Sequence, residues 1–63
     1  MLNITINGDA PASAPDGTRV LDLAPPSPDG QTPWVAALVN NDLVSLTYPL
    51  SVNSDIRYIT AAS

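Results

Sequence analysis

The sequence predicts an α+β domain in which a small sheet packs on one short helix, and three observations carry that prediction. Leu2, Ile4 and Ile6 alternate with Asn3, Thr5 and Asn7, the period of a strand with one buried face. The second half of the chain holds short apolar runs at residues 35–39, 43–46 and 56–59, bounded by Asn, Pro and Ser. These runs are too short for several helices, and their β-branched and aromatic residues suit strands. Between the two halves, Val20, Leu23 and Ala24 recur at a spacing that places them on one helical face.

Taken in order, the first strand should turn back at Asn7-Gly8, a dipeptide that accepts positive φ at both central positions of a tight hairpin. The returning strand, over residues 9–14, is poor in β-branched residues and contains Pro11, which cannot donate to a ladder. It is therefore expected to lie at an edge or to be irregular. Ala14-Pro15-Asp16-Gly17 forms a β-turn, with Gly17 free to adopt a left-handed conformation. Thr18 is the expected N-cap of a helix reaching about Ala24, where Leu21 packs at the margin and Asp22 faces water. Pro25 and Pro26 stop it, and at about two turns it depends on burial against the sheet. Residues 25–33 form a stiff, proline-rich connector.

The central strand is expected to begin near Val35, with Val35, Ala37 and Val39 on one face and Ala36 and Leu38 on the other. Both faces are apolar, which suits an interior strand covered on one side and partly covered by loops or a partner on the other. Asn40-Asn41-Asp42 turns left-handed without glycine into a return strand over residues 43–46. Tyr48-Pro49-Leu50 makes a corner with Leu50 as a core anchor, and Asn53-Ser54-Asp55 makes a further turn. In the last strand Ile56 and Tyr58 share one face, Arg57 and Ile59 the other. The domain is expected to span residues 1–60, with residues 61–63 a tail or a cut at the edge of a longer protein.

A chain of 63 residues accommodates one domain and buries only about 60% of its unfolded surface, so its core has little surplus. With no Cys and no His, disulfides, the usual zinc sites, thiolate nucleophiles and imidazole bases are all excluded. The remaining metal chemistry would need clustered carboxylates, and the six aspartates are scattered. No metal or cofactor is expected. A formal charge of −4 with only Arg19 and Arg57 as cations offers little to a phosphate backbone, which disfavours nucleic acid as a partner. There is no basic start with an apolar segment and no stretch of about twenty apolar residues. A cytoplasmic, non-membrane setting is the resulting expectation.

Gly8, Gly17 and Gly30 are spaced as turns, and without lysine they form no phosphate loop. Aspartates beside turns do not make an acid/base pair, and Ser13, Ser45 and Thr47 have no activating base. No catalytic residue is therefore assigned. The candidate partner contacts are Trp34, whose indole either caps the open end of the core or anchors a partner, Tyr48 at its corner, and Arg57 with Ile59 on a second surface.

Residues 38–50 (Leu-Val-Asn-Asn-Asp-Leu-Val-Ser-Leu-Thr-Tyr-Pro-Leu) and 55–60 (Asp-Ile-Arg-Tyr-Ile-Thr) together resemble the TGS domain. This is the small β-grasp, ubiquitin-like module of threonyl-tRNA synthetases, certain GTPases, stringent-response enzymes and some uridine-kinase-like proteins. Residues 16–24, Asp-Gly-Thr-Arg-Val-Leu-Asp-Leu-Ala, also match that family's turn into its helix. The resemblance implies a β-grasp with a mixed sheet of four or five strands around one helix. Residues 36–41 and 45–50 look most like the copy preceding the phosphate-transfer domain of uridine-kinase-like proteins. That narrower likeness implies a noncatalytic accessory, regulatory or interaction domain at the amino end of an ATP-dependent nucleoside kinase, with the downstream catalytic domain or another protein as partner. The alternatives are a free-standing β-grasp adaptor and a TGS-type ligand- or RNA-binding module. The proline-rich passage in place of a longer helix, and the missing basic character, depart from the family pattern.

Overall fold

Five strands form one mixed sheet in the order β2-β1-β5-β3-β4, with β1 Leu2–Ile6, β2 Ala12–Ala14, β3 Trp34–Val39, β4 Asp42–Val44 and β5 Ser54–Thr60. The structure, a computed structural model, describes residues 1–27 and 30–61. Pro28 and Asp29 of the proline connector, and Ala62 and Ser63 of the tail, lie outside the described residues. One short helix packs on the sheet, giving the β-grasp-like α+β architecture that the sequence predicts.

The longest strand, β5, occupies the middle of the sheet. It runs parallel to β1, with Ile4 opposite Ser54 and Ile6 opposite Ile56, and antiparallel to β3. Asparagine side chains extend the parallel pair at both ends. The Asn3 N–H donates to Asn53 Oδ1 at 2.9 Å, and the Tyr58 N–H donates to Asn7 Oδ1 at 3.1 Å. Asn7 also donates its own N–H to the Ile56 carbonyl at 2.8 Å. It does this while turning the chain, at φ 51°, followed by Gly8 at 81°. A single asparagine thus ends one strand and supplies an acceptor to its neighbour.

The Asn7-Gly8 turn closes as expected, the Asp9 N–H meeting the Ile6 carbonyl at 2.9 Å. The returning strand is shorter than residues 9–14, because pairing with β1 resumes only at Ala12 opposite Ile4. Ala10 and Pro11 sit in the gap, and a proline without an N–H cannot join the ladder. The strand lies at the sheet's edge, as its composition requires.

The helix differs from the sequence prediction in type and in cap. It is a single 3-10 turn, Val20–Leu23, preceded by Arg19. An α-helix there would need the Val20 carbonyl and the N–H groups of residues 25 and 26. Both of those residues are prolines, and the Val20 carbonyl accepts the Tyr58 hydroxyl at 2.5 Å. Closing i→i+3 bonds instead, as from the Ala24 N–H to the Leu21 carbonyl at 3.2 Å, avoids the missing donors. Thr18 is not the cap: its hydroxyl donates to the Pro15 carbonyl at 2.7 Å, closing a turn over Pro15–Thr18 with Gly17 at φ 89°. The first helical N–H groups are satisfied from across the structure, Val20 by the Tyr48 carbonyl at 3.0 Å and Leu21 by the Leu46 carbonyl at 2.8 Å. Asp22 faces water as expected, accepting from the Arg19 N–H at 3.3 Å.

The same strip continues through Gly17 N–H to the Leu50 carbonyl and Leu50 N–H to the Thr18 carbonyl, so residues 17–21 and 46–50 form an irregular ribbon over one face of the sheet. Beneath it lies the core: Ile4, Ala14, Val20, Ala37, Val39, Leu50, Ile56 and Tyr58. Leu50 is the core anchor that its corner suggests.

In β3 the expected face assignment changes at its start. Ala37 and Val39 point to the core, but a bulge between Trp34 and Ala36 breaks the register with β5. A bulge inserts one residue and so exchanges the faces on either side of it. Trp34 joins the core face while Val35 turns outward, 51% exposed. Asn40 and Asn41, at φ 51° and 72°, make the left-handed two-residue link to β4. That strand ends at Val44, short of residue 46, because Ser45 begins a turn closed by the Tyr48 N–H on its carbonyl at 3.1 Å. Ser54 and Asp55, expected in a turn, already belong to β5.

The Asn7 staple gives a direct test. Asn7→Gly keeps the left-handed turn but removes the acceptor for the Tyr58 N–H, and is expected to cost about 1 kcal/mol in urea unfolding. Asn7→Ala adds the strain of positive φ and should cost roughly 1–2 kcal/mol more. A glycine variant as stable as the parent would show that the side-chain bond contributes nothing.

Candidate interaction surface

Strand alternation divides the sheet into a covered face and an open one. On β5, Ser54, Ile56 and Tyr58 are buried beneath the ribbon, while Asp55 and Arg57 are exposed and Ile59 half-buried on the other side. Register then sets their neighbours. Leu38 lies opposite both Arg57 and Leu43, and Ala36 lies opposite Ile59. Leu43, 70% exposed, thus continues an apolar strip through Leu38 towards Ala36 and Ile59, with Arg57 set within it.

The guanidinium of Arg57 has no carboxylate partner among the described residues, whose ion pair is Arg19–Asp22 at 3.8 Å. Asp55, two residues away on the same face, is engaged by the Thr5 hydroxyl at 2.8 Å. A cation without a salt-bridge partner, flanked by Leu38 and Ile59, is suited to a partner that offers apolar surface and a carboxylate together.

The four sequence-derived candidates separate. Arg57 and Ile59 come together on the open face. Tyr48, 43% exposed, lies on the opposite side beside a cavity of about 150 Å³. Trp34 packs on the covered face, its ring centroid 5.5 Å from that of Tyr58 and its indole N–H donated to the Pro25 carbonyl at 2.7 Å. It tethers the proline connector to the end of the core. Leu38 and Leu43 complete the open strip without having been singled out as contacts. The signal for Leu38 is the doubly apolar pattern of β3; Leu43 joins it only through the hairpin register set at Asn40-Asn41.

Asp42 and Asp55 fall on opposite faces, since Asp42 pairs with the core-facing Val39 while Asp55 meets Thr5. Among the described residues no three acidic side chains gather into a cation site, and no helix is long and apolar enough to cross a membrane. No protein-family model matches the chain, and no curated protein matches it in sequence.

Among the described residues, the buried phenol of Tyr58 is strongly perturbed. Burial first, and the Asp22 charge second, push the Tyr58 phenol from its ordinary 10.0 up to about 12. The folded state therefore holds this proton more tightly than the unfolded chain does. The associated stability is complete below about pH 10 and is lost as pH rises through about 12. Tyr58→Phe also strips the Val20 carbonyl of its donor, at an expected cost of about 1–3 kcal/mol near neutral pH. Urea midpoints measured across that alkaline window should fall for the parent and fall much less for the variant. Parallel curves would remove Tyr58 as the cause.

Proposed function

We propose that this chain is a noncatalytic accessory or interaction domain that works through the open face of its sheet, and that the face docks on an adjoining catalytic domain. The observation that supports this reading is the strip of Leu43, Leu38, Ala36 and Ile59 around the unpaired Arg57. Core formation does not account for it: the core lies wholly on the other face. Burying an exposed leucine at a contact is favourable by about 1.5–3 kcal/mol, and the arginine adds direction by selecting a facing carboxylate.

The resemblance to the TGS domain supports the same role and narrows it to an amino-terminal segment of a uridine- or nucleoside-kinase-like protein. In that setting the nucleotide chemistry belongs to the neighbouring domain, and this segment positions it or holds subunits together. The RNA-facing alternative gains no support from the surface. Arg19 is engaged by Asp22, and Arg57 lies on the opposite face from the ribbon that carries Arg19.

Leu43→Arg provides the test, because Leu43 is exposed and its replacement should leave the stability of the domain within about 0.5 kcal/mol. In the full polypeptide that carries this segment, the substitution is expected to weaken docking by about tenfold or more. The readouts are nucleotide turnover and self-association, compared with a form lacking residues 1–63. Turnover and assembly unchanged by both the substitution and the deletion would refute the accessory role.

A further inference from the structure

On the covered side of the sheet, β4, the Asn40-Asn41 turn and the corner at residues 48–52 enclose a half-open cavity of about 150 Å³, a volume at which a protein cavity takes a benzene-sized molecule. Its floor is aliphatic, formed by Val39, Val44 and Leu50, and its rim carries Asp42, Tyr48 and Ser51. Asp42 faces this side because it pairs with the core-facing Val39 across the β3–β4 ladder.

The other polar groups at the wall are already committed. The Asn40 amide donates to the Asn53 carbonyl at 3.3 Å and accepts from the Asp55 N–H at 2.9 Å, while the Ser54 hydroxyl donates to the Val52 carbonyl at 2.8 Å. The Asp42 carboxylate and the Tyr48 and Ser51 hydroxyls have no side-chain partner among the described residues. What remains on offer is one anionic acceptor and two hydroxyls that can accept, beside an apolar floor.

We propose that this cavity receives a lysine side chain from a protein partner. The methylene stem lies along Val39, Val44 and Leu50, and the ammonium meets Asp42, Tyr48 and Ser51 at the rim. An ammonium carries three independently directed donors and can meet the carboxylate and both hydroxyls at once, whereas the planar fork of arginine would commit a parallel pair of donors to the two oxygens of the carboxylate.

A polypeptide source is favoured by two features. β4 ends the sheet, so its outer backbone edge beside the cavity has no neighbouring strand among the described residues and is open to an extended segment. The chain's net charge of −4 steers a basic surface towards it. This site is separate from the open-face strip and does not depend on the accessory role.

Amide chemical-shift titration of the 63-residue chain tests the proposal with three probes: end-blocked Ala-Lys-Ala, the same peptide acetylated at the lysine Nε, and n-butylammonium chloride. The lysine peptide should give saturable shifts confined to residues 39–44 and 48–54. Acetylation, and separately Asp42→Asn, should each weaken binding by about fivefold. The spectrum of the variant reports its own folding, and Tyr48→Phe, expected to weaken binding about twofold, provides a second substitution at the rim. Equal binding of the acetylated peptide, no saturable shift, or shifts centred on Leu38, Arg57 and Ile59 would overturn the site. Butylammonium binding as tightly as the peptide would overturn the polypeptide partner.

Discussion

The parallel pairing of β1 with β5 is the constraint on which the rest of the structure depends. It joins the two ends of the chain, with Asn3 and Asn53 at one limit and Asn7 and Tyr58 at the other. Parallel neighbours cannot be linked by a tight turn, so everything between β1 and β5 must be a long crossover. That crossover is where β2, the 3-10 turn, the proline connector and the β3–β4 hairpin are placed. Closing so long a loop costs entropy before any contact repays it. The side-chain bonds at both ends therefore matter beyond their individual strengths: they lengthen a ladder that three register pairs alone would leave short.

A second dependence runs through Tyr58. Its ring supports Trp34, its backbone N–H is held by Asn7, and its hydroxyl is bonded to the Val20 carbonyl. Three segments distant in sequence thus converge on one residue of the central strand. The hydroxyl bond holds the first carbonyl of the helix, so a residue near the end of the sequence anchors the turn at residues 20–23. In a domain of this size the helix has no stability of its own.

Much of this architecture is legible in the sequence, and the parts that are not share a physical cause. The alternation of Leu2, Ile4 and Ile6, the left-handed turns at Asn7-Gly8 and Asn40-Asn41, and the core role of Leu50 are local statements and hold locally. Thr18 looks like an N-cap because its neighbours are helical in pattern; carbonyls from Leu46 and Tyr48 make that cap unnecessary, and no local rule brings them there. Val35 shares the period of Ala37 and Val39, yet a bulge gives Trp34 the core position, where its indole meets both Tyr58 and Pro25. On the candidate surface, Arg57 and Ile59 are legible together from a period of two. Leu43 requires the register of a hairpin, and the cavity beside Tyr48 requires the packing of a corner on a strand, which is tertiary information.

The two faces of the sheet are chemically opposed, and the opposition follows from the same alternation. Residues of β3, β4 and β5 that point to the ribbon supply the core and, at its margin, the acceptors around Asp42. Those that point away supply the aliphatic strip and its single cation. A one-residue slip of β5 against β3 would invert the faces of β5, exposing Ile56 and burying Arg57 without a partner. Burying an unpaired charge is far more costly than any rearrangement of aliphatic contacts, so Arg57 guards the register as well as marking the open face. The bulge at Val35 is tolerated because it lies beyond the last pair that involves Arg57: by the time the pattern shifts, the charge is already committed to the outer side. The identity of the exposed face is therefore specified at the centre of the sheet by electrostatic exclusion, and only adjusted at its end by the demand of an indole for a place in the core.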